Sequence, residues 1–292
     1  MDSKDTFFSK KLTIKCNGIL LDLSSPKVLG ILNHTPDSFY DGGRYMSEQQ
    51  IINRIEKLIN EGADIIDVGC YSSRPGAADI PAEEEKLRLA NVLQTIRKIH
   101  QDAIVSVDTF RSEIAAFAVQ EFGVALINDI SAGLMDKRMM EVVGRLGTAY
   151  IMMHMKGTPK TMQQNAIYRH LMQEIVAFFT ERTTAANKHN IVDIIIDPGF
   201  GFGKTTAHNF EILRNLNALN ILEQPVMVGI SRKSMIYKTL NNAPDDALNG
   251  TTVLHTLALM NGASLLRVHD VKEAREAIEL VRAYKGNVIL SN

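Results

Sequence analysis

The chain has 292 residues, 45% of them hydrophobic and 22% charged, with a formal net charge of -1. That length supports one large core or two modest ones, and the balanced charge creates no field that would gather nucleic acid or an anionic membrane, so any anion must be held by local groups. Its two cysteines, Cys16 and Cys70, form neither a CxxC pair nor a disulfide framework, residues 1–11 lack the apolar run of a secretory leader, and no apolar stretch is long enough to span a bilayer, which together predict a cytoplasmic protein.

In chain order, residues 12–15 and 19–23 flank Asn17-Gly18, a two-residue hairpin signal. The hairpin, over about residues 11–24, is read as a lid on the N-terminal end of whatever follows. Beyond it the hydrophobic period alternates between short unbroken apolar runs and longer stretches with helical spacing. The runs are 28–32, 65–68, 103–107, 125–127, 149–153, 194–196, 226–228 and 264–268, a pattern that suits parallel strands buried on both faces. In the first intervening stretch Ile51, Ile52, Ile55, Leu58 and Ile59 share one helical face, Ser47 with Gln50 makes a capping box, and Gly62 supplies the stop. The last stretch opens on Asp270 as N-cap with Glu273 three residues on, and turns Ala274, Ile278 and Val281 inward. Eight strand–helix pairs predict an α/β protein, a (β/α)8 TIM barrel over about residues 27–285 in one domain; an open doubly wound sheet is the alternative.

A barrel's active site lies at the C-terminal ends of its strands. The polar residues following the runs are Asn33, Arg74, Asp108, Asn128 with Asp129, His154, Asp197, Ser231 with Lys233, and Arg267 with His269. Any one of them could be a helix cap or a solvated loop residue, but every run delivers one to the same rim. Two generic motifs fail. The string GFGFGKT (199–205) lacks the first glycine of a phosphate-binding P-loop, because Pro198 stands there, and its glycine spacing is wrong for a dinucleotide turn. The histidines show no HExxH or similar ligand cluster, so a structural zinc is not expected.

The rim segments GILNHTPDSFYDGG (30–43), SSRPGA (72–77), VDT (107–109), IND (127–129), MHM (153–155), DPGFGFGKT (197–205), GISRKS (229–234) and RVHDV (267–271) together resemble the dihydropteroate synthase family over roughly residues 27–285. Short strings such as VDT carry little alone; the first loop, SRKS and RVHDV in this order are diagnostic. The resemblance implies an alkyl transferase of folate biosynthesis and a sulfonamide target. Such an enzyme condenses (7,8-dihydropterin-6-yl)methyl diphosphate with 4-aminobenzoate, giving 7,8-dihydropteroate and pyrophosphate, with Mg²⁺ and usually as a homodimer.

By the same resemblance Asp108, Asn128 and Asp197 take the donor edge of the pterin, in the fork geometry that favours planar partners. Lys233 bonds the ring's acceptor side, and Met153 and Phe202 pack on its face. Arg267, His269, Asn33 and Ser73 hold the diphosphate, with Asn33 giving an oxygen to Mg²⁺, a hard cation that keeps its other positions for water and phosphate. Phe39, Asp41, Arg74 and Pro75 belong to two loops and the 4-aminobenzoate pocket, and Ser231 lies near that substrate's carboxylate at a helix N-terminus. Carbon–oxygen cleavage is implied to precede amine attack, so catalysis needs no nucleophilic side chain. His34, Tyr40, Cys70-Tyr71 and Ser73 depart from the family's usual Val, Ser, Gly-Glu and Thr. The rival readings are a methyltetrahydrofolate–corrinoid methyltransferase barrel and a pterin-binding barrel without turnover.

Overall fold

The computed structural model describes residues 11–35, 47–72, 79–159, 161–162 and 166–286. Strands β1 (Thr13–Cys16) and β2 (Ile19–Asp22) pair antiparallel. Asn17 and Gly18 join them with φ of 46° and 85°, the left-handed pair that a two-residue turn needs to match the twist of its strands.

Eight parallel strands follow: β3 (Lys27–Asn33), β4 (Ile65–Gly69), β5 (Val105–Asp108), β6 (Leu126–Asp129), β7 (Ala149–Met153), β8 (Ile194–Asp197), β9 (Met227–Val228) and β10 (Leu265–Val268). Their order is β8-β7-β6-β5-β4-β3-β10-β9, and a parallel bridge between Ile196 and Val226 joins β8 to the start of β9. The sheet is therefore a closed barrel, not a doubly wound sheet. Between the strands lie α1 (Glu48–Asn60), α2 (Ala82–Ile99), α3 (Ser112–Phe122), α4 (Met139–Leu146), α5 (Leu171–Lys188) and α6 (Thr206–Arg214). Then α7 (Ser234–Leu240) and α8 (Leu248–Met260) both follow β9, and α9 (Val271–Tyr284) follows β10.

Four strands run one residue beyond the expected apolar stretch and take in Asn33, Gly69, Asp108 and Asp197; β6 runs on through Asn128 to Asp129. Ladder hydrogen bonds use the backbone, so pairing continues through a polar residue whichever way its side chain faces. Helix α1 starts as expected: Ser47 Oγ accepts from the Gln50 N–H and Gln50 Oε1 accepts from the Ser47 N–H. It ends with Gly62 N–H donating to Ile59 O and Ala63 N–H to Leu58 O, the paired bonds of a Schellman stop. Helix α9 differs from expectation. Asp270 stands at the N-cap, but its carboxylate is taken by a bidentate pair with Arg232, at 2.7 and 2.9 Å, and makes no capping bond. A charged fork of two bonds outcompetes a single backbone N–H.

Strand parity divides the core. Val28, Leu32, Ile66, Val68, Val107, Ile127, Ile196 and Val268 point outward and pack with helix residues such as Ile51, Ile55, Leu89 and Ile278. Leu29, Ile65, Leu126, Ala149, Ile151, Ile195, Met227 and Leu265 point into the barrel, where Ile14, Cys16, Leu21 and Leu23 of the hairpin cover them. The hairpin thus closes the N-terminal end, as read from the sequence. Each buried aliphatic side chain contributes roughly 1.5–3 kcal/mol, which anchors the strands whose other ends carry the site. Among the described residues no helix is long and apolar enough to cross a membrane.

Candidate active site

The inward row that is apolar at the hairpin end turns polar at the other. Strand register sets Asn33 beside Gly69, Gly69 beside Asp108, Asp108 beside Asn128, and Met153 beside Asp197. The two glycines in this row leave room for their neighbours. A Cβ on Gly69 would lie 2.9 Å from Asn33 Oδ1 and 3.7 Å from Asp108 Cβ, and one on Gly229 would lie 3.7 Å from Asp197 Oδ2 and 3.8 Å from Arg267 Cβ. Asn33, Asp108, Asn128, Asp197 and Arg267 therefore line one cleft.

Arg267 is the hub of the cleft. Its Nε donates to Asp67 Oδ2 at 2.6 Å and its Nη2 to Asp108 Oδ2 at 2.7 Å, while Nη1 makes no hydrogen bond among the described residues. Its two carboxylate partners hold its proton more firmly than usual, against the cost of burial. Burial pushes Asp108 up to about 7, with the adjacent charge of Asp67 adding to the shift and Arg267 opposing it. Asp197 is also raised by burial, and Lys233 is the main charge pulling it back. Lys233 is pulled down to about 8 by burial against Asp197; it donates to Phe200 O and lies 4.9 Å over the Phe202 ring. Met153 and Phe202 share an apolar cluster with Phe110, Ile130, Met155 and Met162 beside these charges. A flat apolar wall beside two carboxylates, an amide and an ammonium suits a polar planar heterocycle.

Beyond Arg267, in the loop after β10, His269 Nδ1 lies 3.2 Å from Ser231 Oγ, which also accepts the His269 backbone N–H at 3.2 Å. Ser231 thus meets His269. Arg54, from α1, donates to the carbonyls of Ile31 and His269, each at 2.9 Å, and holds the β10 loop against β3.

Two rim candidates have purely structural surroundings. Asp129 accepts from Tyr150 Oη at 2.6 Å, from Ser131 N and Oγ, and from Gly133 N, and so knots the turn after β6. His154 Nδ1 faces Lys204 Nζ at 2.9 Å, its ring stacks edge-on against Phe178, and burial with the neighbouring Lys204 and Lys156 holds it neutral, at about 3. Lys204 itself is buried, and donates to the carbonyls of His154, Gly199 and Phe202. Its charge is spent on the protein's own loop, which is why the glycine-rich string is no phosphate cradle. Gly199 is required there: its φ is +71°, and a Cβ would lie 2.0 Å from His154 O.

Phe39, Asp41, Ser73, Arg74 and Pro75, with Tyr40, lie outside the described residues. Tyr71, at one of the family departures, packs edge-on against Phe110 with the Arg111 guanidinium 5.2 Å over its ring. A carboxylate reaches this corner from α2 instead: Glu85 accepts from Thr109 Oγ1 at 2.8 Å and from Arg111 Nη1 at 2.6 Å. The sequence reading missed Asp67. A carboxylate inside the otherwise apolar run 65–68 was the available signal. Among the described residues no cluster of three or more His, Cys, Asp or Glu is placed to hold a metal.

A barrel with a planar-ring wall, paired carboxylates and an arginine at the C-terminal mouth defines a small-molecule enzyme that handles a heterocycle and an anion. The family described as pterin binding enzyme matches residues 29–269, and the chain belongs to that family. It is 41% identical over 268 residues to the dihydropteroate synthase of Escherichia coli strain K12, covering 91% of this chain and 94% of that one. The structure superposes with a TM-score of 0.89 on a Yersinia pestis dihydropteroate synthase in a sulfonamide drug complex, at 37% identity and covering 94% of this chain and all of that one. For the Thermus thermophilus dihydropteroate synthase in complex with 4-aminobenzoate the TM-score is 0.82 and the identity 38%, covering 93% of this chain and 99% of that one.

Proposed function

We infer that the chain is a dihydropteroate synthase, which joins the methylene of a dihydropterin diphosphate to the nitrogen of 4-aminobenzoate and releases pyrophosphate. The observation that carries the reading is the single cleft lined by Asp108, Asn128, Asp197 and Arg267, with Lys233 and Phe202 beside it, in a chain 41% identical to a dihydropteroate synthase.

In this reading Asp108 and Asp197 accept the ring's N–H groups, with Asn128 between them and Lys233 on the acceptor edge. Met153 and Phe202 cover a ring face. The side edge of Arg267 is committed to two carboxylates. Its free end edge suits two oxygens of the diphosphate, with His269 and Ser231 alongside. As the carbon–oxygen bond breaks, electrons leave with pyrophosphate and positive charge spreads into the ring, where buried carboxylates stabilise it. The amine then forms the new carbon–nitrogen bond and loses its proton. An arylamine is already neutral near pH 7, so no strong base is required.

Asn33 Oδ1 faces the interior opposite Gly69, and one hard oxygen there suits Mg²⁺, which keeps phosphate and water as its other ligands. Mg²⁺ held there would offset charge on the departing pyrophosphate. An exposed apolar stripe on α8, Val253, Leu257 and Met260, supports a homodimer, and a reducing cytoplasm suits two cysteines that are both buried and unpaired.

Pyrophosphate release measured with both substrates and Mg²⁺, and again with each omitted, tests the reading. Release only from the complete mixture, inhibited by a sulfonamide, is expected. Pterin binding without release would contradict it.

A further inference from the structure

Asp67 has no part in the chemistry above. It lies in mid β4, fully buried and facing the barrel interior, and its Oδ2 takes two hydrogen bonds: Nε of Arg267 at 2.6 Å and Nδ2 of Asn128 at 3.2 Å. A side-chain amide has a donor end and an acceptor end, and whichever end is held decides which faces a pocket. With Nδ2 on Asp67, Asn128 presents Oδ1 to the cleft, the polarity that a ring N–H needs. The same Asp67 oxygen holds Arg267 by its side edge and leaves the end edge for an anion.

Stability does not account for this arrangement. Burying a carboxylate and a guanidinium costs several kcal/mol per ion, and well-packed apolar residues hold a core as well or better. The remaining oxygen, Asp67 Oδ1, and Ser106 Oγ on the neighbouring strand make no hydrogen bonds among the described residues. Asp67 is therefore not one member of a saturated structural network, as Asp129 is.

We propose that Asp67 is a positioning residue for the pterin reaction: through one oxygen it fixes both the amide that reads the ring edge and the guanidinium that holds the leaving group. Ring and diphosphate are thereby kept in one register across the cleft. The inference rests on the dihydropteroate synthase reading. Asp67→Asn keeps volume and removes the shared anionic acceptor. Its kcat should fall on the order of a hundredfold, the scale of small misplacements at a reacting centre, while KM for 4-aminobenzoate stays within about threefold.

A merely structural aspartate would give losses that multiply with those of other variants. A positioning one gives a loss that shrinks in an Asn128→Ala background and shrinks again in Arg267→Ala, where its targets are already gone. Losses that multiply in both backgrounds overturn the proposal. The wild-type enzyme supplies a second measurement, decisive even if Asp67→Asn does not fold. With a dihydropterin bound, the Asn128 side-chain amide protons should stay slowly exchanging in nuclear magnetic resonance and show no contact with the ligand; amide protons in contact with the ring overturn it. If wild-type enzyme releases no pyrophosphate, the functional reading fails; if it turns over and Asp67→Asn does so equally well, only this inference fails.

Discussion

At the hairpin end of the barrel, Ile65, Leu126, Ile195 and Leu265 point inward and are covered by Ile14, Leu21 and Leu23. Two residues further along the same four strands the inward side chains are Asp67, Asn128, Asp197 and Arg267. That step is roughly 7 Å, and across it the interior changes from an apolar plug to a polar, charged cleft. The hairpin end holds the strands in register and has no chemistry. The open end has chemistry and gains little stability from it, because buried ion pairs roughly cancel their own desolvation. A barrel can therefore set charged groups in fixed positions provided an apolar layer beneath them bears the cost.

The sharpest break of this contrast is Asp197→Asn. It keeps an oxygen for the Gly199 N–H, bonded now at 2.7 Å, but turns an N–H toward the ring's donors. Dihydropterin affinity should fall by about 4 kcal/mol, nearly a thousandfold, with the unfolding midpoint unchanged or raised; calorimetric titration and thermal unfolding read the two. Leu126→Ala, two residues before Asn128, should do the reverse: about 3 kcal/mol lost in urea unfolding and ligand affinity within about twofold of wild type. Lys204→Met lies between the regions. Three carbonyls lose their donor, and urea unfolding should show a loss of about 2 kcal/mol with some weakening of pterin binding through Phe202.

A pH titration sharpens the contrast further. Asp108 is raised to about 7 by burial, and a protonated carboxyl cannot accept two ring N–H bonds. Affinity for a dihydropterin should therefore be full between that value and about 8, where Lys233 starts to lose its charge, and fall as pH drops through about 7, approaching tenfold per unit, or about 1.4 kcal/mol. Asp108→Asn should bind weakly and lack that limb. The smallest effect belongs to the hairpin: Asn17→Ala puts a Cβ-bearing residue without a compensating side chain at a φ of 46° and should cost about 1 kcal/mol of stability with activity intact.

The barrel was legible because eight apolar runs with helical spacers admit few arrangements, and the hairpin because Asn-Gly specifies its turn. The inward row was legible in part. Asp108, Asn128, Asp197 and Arg267 fall where the strands end, but Asp129 and His154 were grouped with them although each follows an inward residue by one. A one-residue step in a strand reverses the face, so parity turns both away from the cleft and into structural bonds. Asp67 escaped notice because it sits inside an apolar run. Asp270 was read as a cap because local sequence gives no sign of Arg232, which approaches from a different loop. Neighbours along the chain were predictable; partners across the barrel were not.

The central claim is that one cleft has a ring end and a leaving-group end. Calorimetric titration of Asp108→Asn and Arg267→Ala, each with a dihydropterin diphosphate and with the same dihydropterin lacking its diphosphate, tests it most directly. The account predicts that Asp108→Asn loses affinity for both ligands, whereas Arg267→Ala weakens the diphosphate far more than the other. Equal losses for both ligands in both variants would contradict it.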